Sequence, residues 1–498
     1  MKLPLYKLYQ PYQPYQPHQP HQHIRSLLFL SLLLFLSTNL LSQHHSSRYV
    51  PDTDPLVLGK LEQWQDLKFG LLMHWGPYSQ WGIVESWSIC SEDEGWCRRK
   101  SDNYTEYKKE YEDLQKSFNP VDFDPERWAQ AAREAGMRYV VFTTKHHDGF
   151  CMFDTRYTDY KITDEKTPFH TNTRANITKE IFNAFRAEGM WTGAYFSKPD
   201  WHSEYYWWPN FATPDRHVNY SVNNYPERWE NFVQFTHNQI MELMTDYGKL
   251  DILWLDGGWV KKRSDEEVRE AYRSMNIEKP ARIQNQDIRM DELVQKAREK
   301  QAGLIVVDRA VYGKNQNYLT PENTVPEEAL PYPWESCIIS GGGWSWTPDA
   351  KYMSERKAIH MLVDIVAKGG NLLFNIAPGP DGRWHDEAYE LLKGIGEWMD
   401  INSEAIYNTR AIEPYKEGSV CYTSGGEDSI YAIYLLGEGE EVPDELVISG
   451  IDIPSGSKIE MLGSKGKMRW RKTGGKTHIK VGKNTPSDIA FVLKISLQ

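Results

Sequence analysis

Ile252-Leu253-Trp254-Leu255-Asp256-Gly257-Gly258-Trp259 decides how the rest of the chain is read. Four apolar residues run into one carboxylate, and two glycines and a tryptophan follow. A short apolar run bounded by turn residues signals a buried strand. This strand would deliver Asp256 to the rim of a core, above a turn open enough for a ligand to approach. Barrel enzymes keep their catalytic groups at such strand ends. Trp259 would add a flat apolar wall. The plainer alternative is an aspartate that caps the next turn.

Working outward, the same kind of strand recurs. Phe69–His74, Tyr139–Thr144, Trp191–Phe196, Leu304–Val307, Cys337–Ser340 and Asn371–Ile376 are short and rich in apolar residues, as strands covered on both faces are. Helical signals lie between them. Asp124-Pro125 reads as an N-cap and first-turn proline, with Trp128, Ala132 and Ala135 on one face before Gly136. Glu227–Tyr247, Ser354–Lys368 and Glu387–Asn402 carry apolar residues at helical spacing. The alternation predicts an α/β fold, a (β/α)8-like barrel over residues 50–410. Residues 411–498 change character. Short alternating segments separated by Gly, Asn, Asp and Pro turns predict an all-β sandwich. It would serve either as a brace for the barrel or as a sugar-binding module.

Residues 1–43 form a third region. Tyr/His-Gln-Pro repeats over residues 9–22 do not have the composition of a packed core. After Arg25, the apolar run Ser26–Leu41 is short for a membrane span and resembles a signal-peptide core. Export to a periplasmic or secreted location is expected, with no stable membrane insertion once the segment is removed. The formal charge of −12 over 498 residues argues against general nucleic-acid binding. The 19 tryptophans and 29 tyrosines are a surplus that sugar sites often use for stacking. Cys90, Cys97, Cys151, Cys337 and Cys421 show no metal-ligand spacing. Cys90 and Cys97 could pair in an exported protein, but free thiols are the favoured reading.

Polar clusters sit at the ends of the strand candidates: His74, Lys145-His146-His147-Asp148, Tyr195, Asp256, Asp308-Arg309 and Trp334-Glu335. Adjacent histidines on a strand point to opposite faces, so His146 and His147 would chelate one ion poorly. A zinc site from His74, His147 and Asp148 lacks any supporting helical spacing. No Gly-x-Ser-x-Gly elbow and no phosphate-binding Walker loop is present. Paired carboxylates fit best. Asp256 and Glu335 lie at different strand ends, and glycoside hydrolysis needs one ionised and one protonated acid. Trp334 would desolvate Glu335, and Arg309 would keep Asp256 ionised. Two unrelated acids remain the alternative.

With these residues in view, residues 55–498 resemble glycoside hydrolase family 29, the α-L-fucosidases. The carriers are Phe69-Gly70 through His74-Trp75-Gly76, Thr144 through Phe150, Trp254-Leu255-Asp256-Gly257, Val307-Asp308-Arg309, Trp334-Glu335-Ser336-Cys337, Ser345-Trp346, and Gly369 through Ile376 with Pro378. The resemblance implies an exo-acting, retaining α-L-fucosidase that acts on fucosylated oligosaccharides or polysaccharides. Asp256 would be the nucleophile that forms a covalent fucosyl-enzyme, and Glu335 the acid/base. Retention sets the two carboxyls roughly 5–5.5 Å apart. His74, His146, His147, Tyr195, Arg309 and Trp346 match fucose-contacting positions. Glu85 and Trp87 match a sugar-binding Glu-Trp pair loosely, and Glu85 is the reserve acid/base. No metal or organic cofactor is implied. The rivals are a catalytically silent fucose-binding protein and an α-L-galactosidase-type enzyme. The loop Ser91–Arg99 and an insertion near residues 260–286 depart from the family pattern, which leaves the substrate beyond fucose open.

Overall fold

Seven strands form where the apolar runs predict them, and they lie side by side in one parallel sheet. They are β1 (Phe69–Met73), β2 (Tyr139–Lys145), β3 (Trp191–Ser197), β4 (Ile252–Asp256), β5 (Ile305–Asp308), β6 (Glu335–Ile339) and β7 (Asn371–Asn375). Their order is β5-β4-β3-β2-β1-β7-β6. This computed structural model describes residues 49–90, 97, 99–213, 215–274 and 282–497. The N-terminal repeat, the run Ser26–Leu41 and most of the loop Ser91–Arg99 lie outside the described residues. So do residues 275–281, which follow the helix Asp265–Ser274 in the insertion.

Side chains alternate across the curled sheet as the two-residue strand period requires. Leu72, Val141, Tyr195, Trp254, Val307, Cys337 and Leu373 share an inner cluster. Leu71, Val140, Ala194, Leu253, Val306 and Leu372 pack in the main cluster with helical residues such as Ile181, Ile240, Leu293 and Leu362. Trp64, near the end of the helix Pro55–Leu67, stacks on Tyr318 at 4.0 Å between ring centroids and joins the inner cluster.

Among the described residues, no eighth regular strand joins this sheet. An irregular segment stands between β5 and β6 instead. Asn317 N–H donates to Val306 O, Leu319 N–H to Pro333 O, Glu335 N–H to Leu319 O and Cys337 N–H to Pro321 O. The segment satisfies both open strand edges without a strand's regular alternation, and it carries Glu322 to the C-terminal rim of the sheet.

The predicted helices form with small shifts at their ends. Asp124 caps Pro125–Glu134 by accepting from Arg127 N–H at 3.0 Å, and Trp128, Ala129 and Ala132 are buried. Pro226–Asp246, Glu355–Ala367 and Asp386–Asn402 cover the outer face of the sheet.

Beyond Asn402 two antiparallel sheets stack around a separate core that includes Val420, Ala432, Ile448, Ile459 and Leu493. One has five strands and the other three. The strand Arg410–Glu417 gave no signal in the sequence. Its burial alternates weakly, it holds Pro414, and it lies at a sheet edge with an irregular register, where proline is tolerated. Trp398 Nε1 donates to Ala490 O at 2.9 Å and His360 Nε2 contacts Ile489 O at 2.9 Å, so the sandwich is tied to two barrel helices. All five cysteines are buried, and Cys151, Cys337 and Cys421 are free thiols.

Candidate active site

The C-terminal ends of the strands converge on one cavity of about 390 Å³. β1 delivers His74, β2 His146 and His147, β3 Tyr195, β4 Asp256 and β5 Arg309, and all six line it. Glu85 and Trp87, from the loop after β1, complete the set of expected residues there. The turn after β4 is built for close approach. Gly257 has φ +87°, and a Cβ there would lie 2.3 Å from Pro199.

Asp256 is surrounded by donors. Arg309 Nη1 donates to Oδ1 at 3.2 Å, the Gly257 N–H to Oδ1 at 2.7 Å and the Tyr195 hydroxyl to Oδ2 at 2.8 Å. His147 Nε2 lies 3.8 Å from Oδ2. Burial opposes the charged form, but Arg309, His147 and the two hydrogen bonds outweigh it and hold this carboxyl far below the usual range. The group is an anion at any ordinary pH, as a carboxylate nucleophile must be.

The histidines are neutral. Burial depresses His74 to about 4 and His147 to about 3, and takes His146 well below its ordinary value. His74 Nδ1 meets Asn375 Oδ1 at 2.9 Å, and His146 Nδ1 meets Ser86 Oγ at 2.6 Å. Neutral imidazoles fixed on one side present their other nitrogen to a sugar hydroxyl. Asp148 turns away from them, accepting from the Tyr111 hydroxyl at 2.7 Å and the Phe150 N–H at 3.1 Å, so the conceivable zinc triad does not converge.

Two expected residues are not in the cavity. Glu335 begins β6, at the opposite end of the strands from Asp256, and is 0% exposed. The Tyr139 hydroxyl donates to its Oε2 at 2.6 Å and Trp254 Nε1 to its Oε1 at 3.4 Å. An acid/base must reach the departing oxygen or one water from it, and Glu335 is walled off beneath Trp254. The sequence expectation for Glu335 is therefore corrected. Trp346 is the second correction. It stacks on His385 at 5.2 Å, and Trp344 lines the cavity instead, with its ring 5.2 Å from that of His74. The intervening Ser345 hydroxyl donates to Ile83 O, and the two tryptophans are directed to different neighbours.

The residue the sequence reading missed is Glu322. It lines the cavity, bonds to Arg309 Nη2 and accepts from Trp344 Nε1 at 3.2 Å. One guanidinium thus bridges Asp256 and Glu322. Pro321-Glu322-Asn323 has no strand period or motif that would have marked it. Trp254, Trp259 and Arg216 also line the cavity. Exposure grades across the acids: the Glu322 side chain is 43% exposed, that of Asp256 17%, and Glu85 as a residue 2%. Burial, with Glu322 and Asp256 nearby, raises Glu85 to about 8, so it holds its proton at neutral pH.

The model of the α-L-fucosidase family matches residues 36–404. Tissue α-L-fucosidase of Homo sapiens is 30% identical over 447 residues, covering 85% of each chain. That of Rattus norvegicus is 28% identical over 455 residues, covering 86% of this chain and 87% of its own. Among solved structures, α-L-fucosidase isoenzyme 1 from Paenibacillus thiaminolyticus superposes with a TM-score of 0.70 at 26% identity, over 89% of this chain and all of the other. The Thermotoga maritima α-fucosidase, solved with a mechanism-based inhibitor, gives 0.67 at 25% identity, over 90% of this chain and all of the other. A rim of neutral histidines around an ionised strand-end aspartate, on a half-barrel backed by a β-sandwich, and these matches across the catalytic region lead to one statement: the chain belongs to the α-L-fucosidases, glycoside hydrolases of family 29.

Proposed function

We propose that the protein is an exo-acting, retaining α-L-fucosidase in which Asp256 is the nucleophile and Glu322 the acid/base. The observation that carries the assignment is the shared guanidinium. Arg309 holds both carboxyls at the same rim, which is compatible with the roughly 5–5.5 Å spacing of retaining enzymes. Asp256 attacks the anomeric carbon while Glu322 gives a proton to the glycosidic oxygen, and the aglycone leaves as an alcohol. Glu322 then takes a proton from water, the water oxygen bonds to the anomeric carbon, and Asp256 is released as a carboxylate. The α-anomer of the sugar is formed first.

Depth assigns the other roles. The departing chain of a terminal sugar must point to the mouth, where Glu322 is the most exposed of the three acids. The closed end holds the sugar ring. There His74, His146 and His147 bond its hydroxyls, protonated Glu85 donates to another, and Trp87, Trp259 and Trp344 supply apolar walls for its C5 methyl group. Glu85 is the one other candidate acid, because it is protonated at neutral pH. Leaving-group dependence decides between them. Glu322→Gln should lose far more activity on fucosides with poor leaving groups than with good ones. If Glu85→Gln shows that pattern and Glu322→Gln does not, the roles are exchanged.

The substrates in this reading are terminal α-L-fucosyl residues of oligosaccharides or polysaccharides, and the enzyme is exported by its Ser26–Leu41 segment. N-terminal sequencing of the mature protein tests export: a chain that retains Met1 overturns it.

A further inference from the structure

Beneath the cavity lies a carboxyl to which this mechanism gives no task. Glu335 is wholly buried and sits opposite Asn371 in the register of β6 and β7. Around it stand Tyr139 from β2, Trp254 from β4, Tyr318 from the irregular segment and the Cys337 thiol of its own strand. None is a cation. Burying a carboxyl without one is costly, and an apolar side chain of similar size would serve packing better. The surrounding layer is nonetheless shaped for it. Gly70 makes room for the Tyr139 ring, since a Cβ there would lie 2.4 Å from two ring carbons.

What Glu335 touches leads to the nucleophile. Trp254 stands two residues before Asp256 on the inner face of β4 and forms part of the cavity wall. Its ring stacks on Tyr195, with centroids 5.2 Å apart and planes 20° apart. The Arg309 guanidinium lies 5.3 Å from the same ring. Tyr195 and Arg309 are the two side chains that bond the two oxygens of Asp256. A tilt of the indole would move both.

We propose that Glu335 is a positioning residue of the fucosidase reaction: it pins the Trp254 indole from below, and the pinned ring sets Tyr195 and Arg309 against the Asp256 carboxylate. This rests on Asp256 being the nucleophile. Burial also raises Glu335 to about 7, against the pull of the Tyr139, Trp254 and Tyr318 hydrogen bonds. Its charge therefore changes near neutral pH, directly under the ring.

The test uses the full chain and a dinitrophenyl α-L-fucoside, whose good leaving group needs no acid. Glu335→Leu removes the acceptor for the indole N–H, and Trp254→Phe removes the donor. Each should lower kcat about 10–100-fold per folded molecule, the size expected for a small misplacement of a reacting group, with KM changed less than about 3-fold. The double variant should be no worse than the poorer single one, because both break one link. Glu335→Gln, which keeps an oxygen for the N–H, should recover most of the loss. It should also lack an inflection in kcat near pH 7 that the parent enzyme shows. Unchanged kcat in Glu335→Leu, or losses that multiply in the double variant, would overturn the proposal. If Glu335→Leu does not fold, an inflection that persists in Glu335→Gln overturns it. Failure of the parent reading shows separately, as full turnover by Asp256→Ala.

Discussion

Asp256 and Glu335 are carboxylic acids on strands of one sheet, both inward of its helical layer, yet their surroundings push them in opposite directions. Asp256 ends β4, where a guanidinium, a backbone N–H and a tyrosine hydroxyl meet it. Glu335 begins β6, where burial meets only neutral donors. The first stays ionised at any ordinary pH, and the second titrates near 7. The nearby cation, more than depth of burial, separates them. In a parallel sheet the C-terminal ends gather polar loop residues, while the N-terminal ends are sealed by helices and aromatic rings. The end of the strand on which an acid falls thus selects its chemistry.

The comparison breaks most sharply at Asp256. Asp256→Ala should lower kcat by about 10⁴-fold or more, as loss of a nucleophile does in other covalent enzymes, with a melting temperature close to that of the parent. Added azide should restore part of the turnover. An unrescued variant with full activity would remove Asp256 from the mechanism.

Glu322→Gln comes next. General acid–base catalysis is worth about 10²–10⁴-fold, so a loss in that range is expected on natural glycans, and a smaller one on aryl fucosides with good leaving groups. Steady-state kinetics across a series of leaving groups measures the slope.

Replacing Arg309 by methionine should move the acid limb of kcat/KM upward in pH. Asp256 works as the anion, above its own pKa, and the guanidinium is what overcomes its burial. Without it the carboxyl protonates at higher pH, so activity is lost sooner on acidification. A pH profile whose acid limb stays in place would show that His147 and the hydrogen bonds suffice.

Glu335→Gln should have the smallest effect, visible in stability. The folded form binds the Glu335 proton more tightly than the unfolded chain, so this group's contribution falls as pH rises from about 4.5 to about 7 and then levels off. The loss amounts to roughly 3 kcal/mol at most, at 1.36 kcal/mol per pKa unit. Denaturant melts at pH 5 and pH 8 should show a smaller difference for Glu335→Gln than for the parent. Equal differences would mean that Glu335 does not titrate in this range.

Much of the barrel was legible because periodicity reports burial. Seven strand candidates became the seven strands, and residues at their C-terminal ends entered the cavity together. Trp346 and Trp344 mark the limit. Both follow the glycine run Gly341-Gly342-Gly343, and nothing in Trp344-Ser345-Trp346 tells which ring turns inward; that depends on the Ser345 hydroxyl meeting Ile83 O, a partner 262 residues away. Glu322 was illegible for a related reason. It lies on the segment that replaces an eighth strand, where backbone bonds to two neighbouring strands fix the chain without a regular pattern of side chains.

By itself, the sequence determined the alternation of strands and helices, the acid at the end of β4, and the histidine and arginine clusters on neighbouring strand ends. Those features are written in residues close together in the chain. Only the tertiary structure decided which second carboxyl shares Arg309 with Asp256 and which lies sealed below. That choice depends on the end of the sheet each one reaches, and so on pairings between residues far apart in sequence.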